Sequence, residues 1–101
     1  IPFVWKKMIL DIMFKGPISV VTGQHIKLDL TDGATIKELA NEIKIKFLAS
    51  SQNIGLDAVI TNLLEQNIIL VNGVEISALN GEKTILDPNS KIDILNFTHG
   101  G

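Results

Sequence analysis

The chain has 101 residues, 46% of them hydrophobic, a formal net charge of -2 and no cysteine. That length buries one core and not two, and the missing cysteines exclude disulfides, thiolate metal sites and a cysteine nucleophile. The basic residues are all lysine and are scattered from Lys6 to Lys91, with no basic face or tail that would argue for direct binding of nucleic acid.

Residues 1–7 (IPFVWKK) match no element and stand as an N-terminal extension of unknown role. Their lysines follow the apolar residues, the wrong order for a secretory signal, and no stretch reaches the ~20 apolar residues of a membrane span. A soluble, cytoplasmic protein without a membrane partner is expected. Met8 to Lys15 (MILDIMFK) is a short apolar run closed by Gly16-Pro17 and reads as a well-buried strand. Gln24 to Leu30 (QHIKLDL) alternates: Ile26, Leu28 and Leu30 point one way, His25, Lys27 and Asp29 the other. This is a strand with one wet face, and GPISVVTG joins the two as a hairpin.

After Asp32-Gly33 the period changes from two to 3.6. Thr35-Ile36-Lys37-Glu38 is a capping box, and Ile36, Leu39, Ala40, Ile43 and Phe47 form the buried stripe of the helix behind it. The polar SSQN and Gly55 end that helix. A minor second helix over Asp57 to Gln66 would put Leu56, Val59, Ile60, Leu63 and Leu64 on one face. Ile68 to Val71 returns to strand, Asn72-Gly73 is a strong hairpin signal, and Val74 to Ile76 would be the short partner. Beyond a loop, Lys91 to Phe97 forms the last strand. The order predicts an α+β domain with one main helix across one face of a mixed sheet.

Catalytic chemistry is sparse. Gly81-Glu82-Lys83-Thr84 lacks the first glycine of a phosphate loop, and no nucleophile elbow accompanies the serines. His25 and His99 read as solvated surface residues, with no converging ligands for a metal. Neither catalytic residues nor a bound metal is expected.

The element order over Met8 to Gly101, the segment ILVNGVEISAL (Ile69 to Leu79) and the terminal Gly100-Gly101 together resemble the ubiquitin-like β-grasp proteins, in particular their sulfur-carrier branch. The ending His99-Gly100-Gly101 and the extra helical segment over Ser50 to Gln66 are similar to the ubiquitin-related modifier and small archaeal modifier type. The thiamin sulfur carrier and the small subunit of molybdopterin synthase are related. The resemblance implies a β-grasp domain over 8–97 and a flexible tail, 98–101, running from Thr98 through His99 to the glycines. It also implies that the chain is a carrier and not an enzyme. A partner enzyme would use ATP to adenylate the Gly101 carboxylate, and no cofactor would be bound by this chain. A sulfur donor then yields a thiocarboxylate, for a sulfur-accepting enzyme or tRNA thiolation, or an acceptor lysine yields an isopeptide bond. Donation of sulfur as a molybdopterin synthase small subunit, and a ubiquitin-like binding module that is never activated, are the alternatives.

Alternation also suggests a partner surface. Ile92 and Ile94 should face the helix, which turns Leu95 and Phe97 outward. In the first strand Ile9, Asp11, Met13 and Lys15 turn outward too. With the two strands adjacent, Ile9, Met13, Leu95 and Phe97 would form an exposed apolar patch leading to the tail.

Overall fold

Met8, Leu10, Ile12 and Phe14 take every second place in the first strand, and all are buried; Lys7, Ile9, Asp11 and Lys15 between and around them are exposed. The apolar run MILDIMFK is therefore buried on one face only, because nothing described covers the other side of the sheet. The computed structural model describes residues 6–48 and 54–96.

Strand β1 (Lys7–Lys15) pairs antiparallel with β2 (His25–Thr31), from Lys7 opposite Thr31 to Met13 opposite His25. The link between them contains a helical turn, α1 (Ser19–Thr22), that buries Ile18. Helix α2 (Ile36–Leu48) starts at the expected capping box: Thr35 Oγ1 accepts from the Glu38 N–H at 3.3 Å, and Glu38 Oε1 accepts from the Thr35 N–H at 3.4 Å. Its stripe of Ile36, Leu39, Ala40, Ile43 and Phe47 is buried as the 3.6 period requires. Phe47 meets Phe14 of β1 edge to face, with ring centroids 6.3 Å apart, which ties the helix to the sheet.

The second helical segment is two pieces, α3 (Ile54–Thr61) and α4 (Leu63–Gln66), broken at Asn62. The Asn67 amide spans the break, donating to the carbonyls of Val59 at 3.2 Å and Leu63 at 2.9 Å. Ile60 and Leu63 are buried, with Val59 and Leu64 packed against the core; the side chain of Leu56 lies outside the described residues. Strand β3 (Ile68–Val71) turns through Asn72-Gly73, both at positive φ (53° and 83°), into β4 (Val74–Glu75), and Ile76 opens a 3-10 turn instead of extending the strand. Strand β5 (Lys91–Leu95) closes the sheet in the order β2-β1-β5-β3-β4, parallel to β1 and antiparallel to β3. The ladder thus ends two residues before the expected Phe97.

Between β4 and β5 the chain caps the helix start. Ile36 N–H donates to the Thr84 carbonyl and Leu86 N–H to the Ala34 carbonyl, with Leu86 buried beneath. Thr84 Oγ1 accepts from the Asn80 N–H at 3.1 Å, which ties this threonine into the loop. Among the described residues no helix is long and apolar enough to cross a membrane.

Candidate functional site

Among the described residues the helices lie on the face formed by the even positions of β1, and none of these residues covers the opposite, open face. Alternation along the five strands places Ile9, Asp11, Met13 and Lys15 of β1 there, with Lys91, Asp93 and Leu95 of β5 and Ile68 and Leu70 of β3. The pairing registers sort these residues into rows. Lys15, Leu95 and Ile68 form the row next to the chain's exit; Met13, Asp93 and Leu70 form the next; Asp11 and Lys91 the one after. Ile9 lies beyond that polar row, 62% exposed.

Met13 and Leu95 therefore belong to one apolar cluster, and its other members are Ile68 and Leu70. Ile9 stands apart from it, separated by Asp11, whose carboxylate meets the His25 ring Nε2 at 2.9 Å. Beside Ile9 a shallow groove of about 540 Å³ runs between Asp11, Met13 and the loop Pro88–Lys91. Phe97, Thr98, His99, Gly100 and Gly101 lie outside the described residues.

Two features of this face are not visible in the sequence. Ile68 and Leu70 join the cluster only because β3 lies beside β5, and the run IILV alone does not tell which alternate pair faces out. The second is Asp93, an outward residue of a central strand that is only 8% exposed. Met13 and Leu70 are its cross-strand neighbours, and its one ion-pair partner among the described residues is the Lys15 ammonium at 3.8 Å.

The point where the chain leaves the sheet is fixed more firmly than a strand end usually is. Asn96 is buried; its N–H donates to the Lys15 carbonyl at 2.9 Å and its side-chain amide to the Gln66 carbonyl at 3.3 Å. Gly16, at φ +93°, lies so close that a Cβ there would stand 1.7 Å from the Asn96 carbonyl oxygen. The backbone of residue 96 is thus held by the end of β1 on one side and the end of α4 on the other. Among the described residues no three His, Asp or Glu side chains converge as metal ligands.

No protein-family model and no curated protein matches this sequence. Solved structures do match. The HVO 2177 protein of Haloferax volcanii superposes with a TM-score of 0.70 at 21% identity, covering 94% of this chain and 88% of that one. The small archaeal modifier protein 1 of Methanosarcina acetivorans gives 0.67 at 22% identity, covering 95% and 99%. Urm1 of Trypanosoma brucei gives 0.66 at 16%, covering 97% and 100%. The chain has the ubiquitin-like β-grasp fold of these proteins, as the resemblance in sequence implied.

Proposed function

We propose that this chain is a ubiquitin-like sulfur carrier or protein modifier, the substrate of an adenylating enzyme and not itself an enzyme. The observation that carries the reading is the arrangement at the end of the sheet. A face that no described residue covers, with the apolar cluster of Met13, Leu95, Ile68 and Leu70, leads directly to the clamped Asn96, five residues before Gly101. The fold shared with a protein named as a modifier supports it. A partner docked on the cluster would find the Gly101 carboxylate within reach, since five extended residues span at most ~18 Å.

The chemistry follows from the carboxylate. One of its oxygens attacks the α-phosphate of ATP in the partner's site and expels pyrophosphate, which leaves an acyl-adenylate on Gly101. Hydrosulfide or a lysine amine then adds to the acyl carbon, expels AMP and releases a proton, giving a thiocarboxylate or an isopeptide bond. Glycines at 100 and 101 suit this passage because no Cβ crowds the phosphate. With no cysteine in the chain, no internal thiol intercepts the activated acyl group.

Mass spectrometry of the intact protein and its C-terminal peptide, purified from its own cells, tests the reading. Exchange of oxygen for sulfur at Gly101, or branched peptides joining Gly101 to lysine, is expected. A free carboxylate that persists after incubation with ATP and cell extract would leave a docking module only.

The cluster makes its own prediction. Leu95→Ala or Ile68→Lys should leave the fold intact, since both side chains lie on the open face, Ile68 with 41% exposure. Each should raise the KM for this protein in its adenylation by about tenfold, the cost of truncating one interface anchor, with kcat unchanged. An unchanged KM for both would remove the cluster from the interface.

A further inference from the structure

We propose that the free edge of β2 pairs with the same edge of a second copy of this chain, antiparallel about a two-fold axis, so that two five-stranded sheets become one. Strand β2 is terminal in the sheet order. The bonds from Phe14 N–H to the Gln24 carbonyl (2.9 Å) and from Asp32 N–H to the Lys6 carbonyl (2.7 Å) fix the phase of its ladder with β1. In an antiparallel pair such residues alternate, so Ile26, Leu28 and Leu30 bond to β1. The N–H and C=O groups of His25, Lys27, Asp29 and Thr31 then point away from the sheet. Among the described residues only the Thr31 carbonyl has another partner, the Ala34 N–H.

Those unpaired groups define the occupant's backbone as an extended strand, and the side chains define its sequence. A lone lysine on an edge strand guards against pairing. Here Lys27 is followed two residues later by Asp29, on the same exposed face, and among the described residues neither is in an ion pair. Full overlap of two seven-residue strands puts His25 opposite Thr31 and Lys27 opposite Asp29, twice over, with the axis through Leu28. A shift that moves the axis by one residue brings Lys27 against Lys27 of the partner subunit, or Asp29 against Asp29 of the partner subunit. Shifts that would oppose odd residues to even ones lose the hydrogen bonds. The register of longest overlap is therefore also the register of charge complementarity. On the helix side, half-buried Ile26 would gain cover from Leu30 of the partner subunit.

The seam is short, which places it among weak, reversible interfaces. It lies two strands, about 10 Å, from β5, so it leaves the clamped Asn96 free and does not depend on the function proposed above.

Sedimentation equilibrium of the full chain, up to millimolar concentration, tests the pairing. A reversible dimer is expected. Lys27→Glu alone and Asp29→Lys alone should each weaken self-association about tenfold, because the two-fold axis makes every like-charge contact twice. Both positions are exposed, and both variants should keep the parent circular dichroism spectrum. Mixing the two variants should restore association to the parent level, since every contact across the seam then joins opposite charges. A parent chain that stays monomeric throughout overturns the proposal, including one that instead captures an extended peptide from another protein. So do single variants that associate like the parent, or a mixture no tighter than its components.

Discussion

Gly16→Ala is expected to lower the folding stability by about 3 kcal/mol or more, and the melting temperature by more than about 12 °C. Two costs add. At φ +93° an L side chain is strained, a penalty of about 1–2 kcal/mol. The new methyl would also stand 1.7 Å from the Asn96 carbonyl oxygen and 2.9 Å from its carbon, and both are backbone atoms with no rotamer to escape into. The backbone of residue 96 would have to move away, which breaks its 2.9 Å bond to the Lys15 carbonyl and the grip of its side chain on Gln66. Gly73→Ala separates the two costs. Gly73 has a similar φ of +83° in the β3–β4 turn and nothing within 4 Å of a Cβ, so only the backbone strain of about 1 kcal/mol should appear. Urea midpoints of the two variants measure the difference; equal midpoints would mean that the close approach of strand end and turn contributes nothing.

This contact also shows where reading the sequence stops. Gly16-Pro17 is legible as the end of a strand, because glycine and proline punctuate locally. That this glycine receives the carbonyl of residue 96 depends on β1 and β5 lying parallel at adjacent places in the sheet. The elements themselves were written in local patterns. QHIKLDL carries its wet and dry faces in its alternation, Thr35 and Glu38 carry the helix start, and Asn72-Gly73 carries the turn, and each of these appears in the structure. The break at Asn62 was not legible, since the apolar spacing of Val59, Ile60, Leu63 and Leu64 continues through it and the Asn67 amide that spans it acts from beyond the helix. On the open face, Met13 and Leu95 could be turned outward from alternation alone. The hiding of Asp93 and the addition of Ile68 and Leu70 required the strand order, which period does not encode.

Deleting Gly100 and Gly101 is expected to do the reverse of Gly16→Ala: stability unchanged within about 0.5 kcal/mol, and activation abolished. Every ladder bond and core contact described above is made by residues up to Asn96, so the deletion removes none of these. The chemistry loses its reach. Removing two residues draws the carboxylate back by about 7 Å and brings the His99 imidazole to the place where the passage needs no side chain. A displacement of 1 Å already costs about 10²-fold in a reaction that depends on alignment, so no adenylate should form. Exchange of pyrophosphate into ATP, driven by the partner adenylating enzyme, reads this directly. Gly101→Ala, which keeps the length and adds one methyl, should lie between the parent and the deletion. Binding of the enzyme to the open face is predicted to survive the deletion, because Met13, Leu95, Ile68 and Leu70 remain in place. Loss of exchange with binding retained separates a tail that is the substrate from a face that is the dock; exchange at the parent rate after deletion would show that the carboxylate of Gly101 is not the group being activated.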